Sequence, residues 1–196
     1  PELRLLITAG MGNASFDLPA ASALGIIVSG TGNVGEGPAE LTWGLIISLI
    51  RQIPQEDQAT RQGKWGTALG VGLEGKTLGL LGLGHIGSKV AKVGKAFEMN
   101  IIAWSQNLTA ERAAECSATL VNKETLFTDS DILSVHVRLS DRTRGLVGAK
   151  EIASMKPSSY LVNISRGPIV DETAMLNALS TNAIAGAGID TFDEEP

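Results

Sequence analysis

Residues 76–87, KTLGLLGLGHIG, constrain this chain more than any other stretch. The apolar run at 78–83 has the length of a short buried strand, and it breaks into Gly82-Leu83-Gly84-His85-Ile86-Gly87 where a helix opens at about Ile86. In such a turn the first glycine bends the chain, the second lets a pyrophosphate approach the backbone, and the third lets helix and strand pack closely. A phosphate there meets free backbone N–H groups at the positive end of the helix dipole. Glycine-rich turns also occur simply where elements must pack closely, so the meaning of this one rests on the rest of the chain.

Hydrophobic residues make up 43% and charged residues 19%, ordinary values for a soluble globular protein. The 196 residues suffice for one domain, or for one domain and part of another, and the 23 glycines imply many strand-to-helix turns. A net charge of −5 leaves no basic footprint, so nucleic acid is not an expected partner. The single Cys116 excludes an intrachain disulfide framework and supplies no thiolate cluster, and no metal is expected. No run of about 20 uninterrupted apolar residues occurs, and the opening PELRLLITAG lacks the basic-then-apolar form of a signal peptide. A cytoplasmic location fits, with no membrane partner.

From the start of the chain, residues 3–8 (LRLLIT) read as a buried strand, 18–24 as a short helix capped by Gly25, and 26–29 (IIVS) as a second strand. This unit is too small to stand alone, so further chain is expected before Pro1. Residues 30–38 (GTGNVGEGP) have the composition of a hinge. Residues 39–53 carry Leu41, Leu45, Ile46, Leu49, Ile50 and Ile53 at helical spacing, and the wide apolar face fits a core helix or a subunit interface equally well. Pro54 is expected to end that helix and leave 55–64 as polar surface.

Past the glycine turn, Val90, Val93 and Phe97 recur on a lysine-bearing helix, and 100–104 (NIIAW) read as the next strand, closing a unit of about 30 residues. An acidic residue normally follows this second strand and binds the adenosine ribose. Here Ser105, Gln106 and Asn107 follow it. Neutral side chains do not repel a 2′-phosphate, so NADP(H) is permitted beside NAD(H); the plainer reading is a solvated turn. Further strands are expected at 131–137, 160–164 and 183–189, with helices at 149–155 and 171–179. Strands alternating with helices, without hairpin signals, predict an α/β fold with a doubly wound parallel sheet of Rossmann type.

Four segments in order, GLGHIG, SVHVRLSDRTRGLVG, MKPSSYLVNISRGPIVDETAML and GAGIDTFDEEP, resemble the D-isomer-specific 2-hydroxyacid dehydrogenases, which include glycerate, phosphoglycerate and D-lactate dehydrogenases. The earlier TAGMGNASFDLPAASALGIIVSGT resembles the last part of that family's flavodoxin-like substrate domain. The resemblance implies that residues 1–37 belong to the substrate domain and 38–196 to the dinucleotide-binding domain, with more chain at both ends. It implies NAD or NADP as cofactor, with Ser105 leaning the choice to NADP, and a homodimer. The expected substrate is a small 2-keto or D-2-hydroxy acid such as glyoxylate or hydroxypyruvate.

By the same resemblance Gly82, Gly84 and Gly87 shape the pyrophosphate turn, and the backbone of His85 and Ile86 holds the phosphates. Ser105 takes the place of the ribose-binding aspartate. Val137 and Arg138 occupy a loop that carries H-x-P in the family and lines the adenine side, with Thr143 nearby. Arg138 replaces the proline there; it is either an exposed arginine or a cation that meets a 2′-phosphate. Ile164 and Ser165 line the nicotinamide ribose, and Asp190 accepts a hydrogen bond from the carboxamide.

Arg166 borders the cofactor and is the expected catalytic residue, because a guanidinium fork suits the substrate carboxylate, polarises the 2-oxygen and stays charged at any working pH. Glu195 matches the carboxylate that pairs with the family's catalytic histidine. Met11 and Gly12 match the loop whose N–H groups receive the substrate carboxylate. The histidine itself lies, in the family, in a P-H motif beyond residue 196; neither His85 nor His136 is expected to replace it. The 196 residues are therefore expected to be catalytically incomplete alone. A dinucleotide-sensing module like the corepressors of this fold, and a relative acting on formate or phosphite, are the alternatives.

Overall fold

Parallel strands buried on both faces need unbroken apolar runs, and the runs of this chain become strands in two separate units, Pro1–Gly35 and Glu36–Pro196. The computed structural model describes residues 2–10, 16–32 and 36–194. In the first unit β1 (Leu5–Thr8) and β2 (Ile27–Gly30) pair in parallel, with α1 (Leu18–Ala23) between them in the chain. Asp17 caps α1 by accepting the Ala20 N–H at 2.9 Å. A two-stranded sheet is marginal in water, and this one leaves Leu5, Ile7 and Ile27 exposed.

The second unit opens with α2 (Glu36–Ile50), which begins inside the expected hinge. Pro38 lies in its first turn, where a missing N–H breaks no hydrogen bond. Ala39, Thr42, Trp43, Ile46 and Ile50 form the buried face, whereas Leu41 is 43% exposed, so the face is rotated from the one the apolar spacing predicts. Pro54 does not end this helix. The chain breaks at Gln52, in the left-handed region at φ +51°, and Pro54 sits in the first turn of α3 (Ile53–Arg61). Most of the expected polar surface segment is therefore helix.

The remaining elements are β3 (Thr77–Leu81), α4 (His85–Ala96), β4 (Asn100–Trp104), α5 (Ala110–Glu115), β5 (Thr119–Leu120), α6 (Lys123–Asp129), β6 (Ile132–Val135), α7 (Ala149–Ser154), β7 (Tyr160–Asn163), α8 (Glu172–Ser180) and β8 (Gly186–Ile189). The six strands form one parallel sheet in the order β5-β4-β3-β6-β7-β8, the doubly wound α/β sheet that the alternation of strands and helices predicts. Besides α3, the sequence reading does not anticipate α5, β5 and α6. The helices among them are capped by Thr109, which accepts from Arg112 N, and by Asn122, which accepts from Thr125 N.

Strand side chains alternate between two cores, as the period of two requires. Leu78 and Leu80 of β3, Ile132 of β6 and Val162 of β7 face one core with Trp43 and Ile46 of α2 and Val90 of α4. Leu81, Leu133, Val135 and Leu161 face the other, with Phe127, Ile152 and Met175 from α6, α7 and α8. Helices thus cover both faces and leave the strand ends as the open edges. No helix of the described residues is long and apolar enough to cross a membrane.

Candidate functional site

From β3 the chain winds outward through β4 and β5, then returns to the other side of β3 as β6. The crevice outside the carboxyl ends of the strands at such a reversal is where open α/β sheets bind ligands. Register makes the edge level: Trp104, Leu81, Val135, Asn163 and Ile189 form one row across five strands. The residues that follow them are Ser105, Gly82, His136, Ile164 and Asp190, so most of the positions singled out in the sequence lie on or beside one edge. Four inter-strand gaps of about 4.8 Å separate Ser105 from Asp190, roughly 19 Å in all. That length suits an elongated ligand laid across the strand ends.

The glycine turn fits a dinucleotide pyrophosphate. Gly82 has φ +101°, and a Cβ there meets the His136 carbonyl carbon and oxygen at 2.9 Å. A Cβ on Gly87 falls 2.3 Å from the Gly82 carbonyl oxygen, so the start of α4 lies directly on the turn. Gly84 is different: it caps α4 at φ −81°, and a Cβ there meets nothing within 4 Å. Among the described residues no side chain caps the helix, so the N–H groups of its first turn have no intrahelical partner and are available to an anion.

On the β6 side, Val137 is half-buried beside Gly82 and Arg138 is exposed. Thr143 Oγ1 donates to the Arg138 carbonyl at 2.6 Å and accepts the Ser140 N–H at 2.8 Å, so its hydroxyl shapes the loop that presents Arg138. His136 shares a hydrogen bond of 2.9 Å between Nε2 and Ser134 Oγ, while its Nδ1 is buried without a partner among the described residues. Burial pushes this imidazole down to about 4, leaving it neutral at pH 7. The unfolded chain binds this proton near pH 6.5 and the folded chain only near pH 4. Stability is therefore expected to fall by up to about 3 kcal/mol as pH drops through that window. Denaturant melts at both ends of it check this, because the dependence should shrink in His136→Asn. An equal acid loss in that variant would exclude His136 as the source.

On the β7 side, the Ile164 side chain is buried in the core, so Ile164 offers the crevice its backbone. Ser165 Oγ donates to the Val135 carbonyl at 2.9 Å. The Arg166 side chain is exposed, and Nη1 donates to the Ser165 carbonyl at 2.7 Å, leaving other guanidinium donors for an anion. Gly167 follows because nothing larger fits: a Cβ there falls 2.1 Å from the Phe192 carbonyl carbon and oxygen. The segment after β8 is thereby packed on the segment after β7. Asp190, exposed at the end of β8, donates its N–H to the Asn163 carbonyl at 3.3 Å. Met11, Gly12 and Glu195 lie outside the described residues.

Two features were missed in the sequence: Asn163, whose side chain bonds to the 165–166 turn, and the His136–Ser134 pair. Each carried a signal, a polar residue inside or just after an otherwise apolar run. Among the described residues, no group of three His, Cys, Asp or Glu side chains could hold a metal ion.

Residues 43–196 match the family model of the D-isomer specific 2-hydroxyacid dehydrogenase NAD binding domain. The chain belongs to this family. A glyoxylate reductase of Aeropyrum pernix is 43% identical over 206 residues, which take in 100% of this chain and 62% of that protein. The crystal structure of a phosphoglycerate oxidoreductase from Vibrio cholerae superposes with a TM-score of 0.92 at 34% identity, over 99% of this chain and 63% of that one. D-lactate dehydrogenase from Aquifex aeolicus, solved with NAD and lactic acid, gives a TM-score of 0.86 at 28% identity, over 99% of this chain and 59% of that one. The chain thus spans about three fifths of the length of these dehydrogenases.

Proposed function

We propose that this chain is the dinucleotide-binding part of an NAD(P)-dependent D-2-hydroxyacid dehydrogenase, together with a C-terminal piece of its substrate domain in the first unit. The reaction is reversible hydride transfer between a nicotinamide cofactor and C2 of a small 2-keto or 2-hydroxy acid such as glyoxylate or hydroxypyruvate. The observation that carries this reading is the level row of strand ends, with the glycine turn and Arg166 along one edge. An elongated ligand held at the first reaches the second.

When bound, the cofactor supplies or accepts the hydride. The N–H groups of His85 and Ile86 take the pyrophosphate charge. Arg166 binds the substrate carboxylate and draws charge toward the 2-oxygen, which matters most as that oxygen becomes an alkoxide. Asp190 orients the carboxamide, Met11 and Gly12 receive the carboxylate, and Glu195 pairs with the histidine that exchanges the proton. His136 does not serve as that histidine, because its imidazole is hydrogen-bonded to Ser134 and depressed to about 4 by burial.

The absence of an acid at Ser105, together with the exposed Arg138 across the glycine turn, supports NADP(H) over NAD(H). The intact protein is a homodimer in this reading, and the exposed Trp65 and Leu69, at 91% and 96%, support a partner surface beside α3. Assays of the intact protein with glyoxylate, hydroxypyruvate and pyruvate, each with NADH and NADPH, test the reading. Cofactor oxidation with at least one acid, faster with NADPH, is expected. Tight cofactor binding without turnover on any of them would favour the sensing module, and turnover only with formate or phosphite the third reading.

A further inference from the structure

Asn163 is 1% exposed at the end of β7, between the buried Val162 and Ile164. A buried amide is costly unless both its ends are bonded. Oδ1 accepts the Ser165 N–H at 3.0 Å, and Nδ2 donates to the Arg166 carbonyl at 3.0 Å. The residue itself is level with Val135 of β6 and Ile189 of β8. Ser165 Oγ anchors to the Val135 carbonyl, the Ile169 N–H donates to the Arg166 carbonyl at 3.2 Å, and the Phe192–Asp193 backbone lies on Gly167. The 165–167 turn is therefore held by β6, by β7 and by the segment after β8, and both of Asn163's side-chain bonds go to that turn. The Arg166 side chain, by contrast, is exposed and bonded only to the Ser165 carbonyl among the described residues.

We infer that Asn163 is a positioning residue for Arg166: its amide ties the 165–166 backbone to the sheet so that the guanidinium meets a 2-keto acid carboxylate from a fixed base. This rests on the assignment of Arg166 to the substrate. A strand residue needed only for packing would be served by an apolar side chain like those of its neighbours. A displacement of about 1 Å at a substrate-binding group costs about a hundredfold in rate, so the anchor has a large kinetic lever.

The test is a double-mutant cycle in the intact protein with Asn163→Ala and Arg166→Ala. Asn163→Ala is expected to lose about a hundredfold in kcat/KM for the keto acid, while the cofactor dissociation constant, read by nicotinamide fluorescence, changes less than about threefold. In the Arg166→Ala background the same substitution should cost almost nothing more, because the group it positions is gone. Should Asn163→Ala fail to fold, Asn163→Asp keeps the acceptor for Ser165 and loses the donor to Arg166, and the same cycle applies. A loss that persists in full in the Arg166→Ala background, or a single-variant loss below about threefold, overturns the inference while Arg166 keeps its role. Full activity in Arg166→Ala overturns both.

Discussion

Arg166→Ala is expected to lower kcat/KM toward 2-keto acids by about 10²–10³-fold, the usual cost of removing a group that meets charge developing in the transition state. The fold should barely register the change, because the side chain is exposed and, among the described residues, bonded only to the neighbouring Ser165 carbonyl; such surface substitutions stay within about 0.5 kcal/mol. Cofactor affinity should change only a few-fold, since the proposed pyrophosphate site is the glycine turn and not Arg166. Arg166→Lys keeps the charge but loses the planar fork, so it should fall between wild type and alanine. Steady-state kinetics on a keto acid, with cofactor titrations and thermal melts on the same preparations, read all three. Near-wild-type kcat/KM in the alanine variant would remove Arg166 from the chemistry and return the chain to the sensing-module reading.

The sheet was legible because its strands are buried on both faces. A strand in that setting is nearly continuous in apolar residues, as LGLLGL, NIIAW, DILSV and YLVN are. Elements that lack such a setting were lost. β5 is two residues long, and α5 and α6, at six and seven, show in the sequence only through their caps, Thr109 and Asn122. Pro54 is ambiguous in the sequence, since a proline suits a helix start as well as a helix end, and the left-handed Gln52 that decides between them has no sequence signal.

The site divides along the same line. The types of its residues are readable, since a guanidinium after a strand and three glycines around a helix start each imply chemistry. Their gathering is not. That Ser105, Gly82, His136, Ile164 and Asp190 follow one level row depends on strand order and register, and neither is written locally in the chain. The anchoring of the Arg166 turn is equally non-local, because Val135, Phe192 and Asn163 come from three different strands or their continuations.

Gly84→Ala and Gly87→Ala are expected to fail in opposite ways, and the contrast separates a ligand-binding turn from a packing turn. On Gly87 a Cβ lies 2.3 Å from the Gly82 carbonyl oxygen. Backbone cannot swing aside as a side chain does, so α4 must shift from β3, at about 1–3 kcal/mol of stability, and cofactor binding should be lost with the geometry. On Gly84 the φ of −81° suits alanine and no atom lies within 4 Å of the added carbon. Stability should hold within about 0.5 kcal/mol, yet the methyl group enters the space above the first N–H groups of α4, where a pyrophosphate must approach. Weakening a charged hydrogen bond there predicts a loss of about tenfold to a hundredfold in cofactor affinity. Denaturant melts and cofactor fluorescence titrations on the two variants measure both quantities. If Gly84→Ala folds and binds as wild type does, the open space above α4 is not where phosphate sits, and the glycines of this turn serve the contact between helix and strand alone.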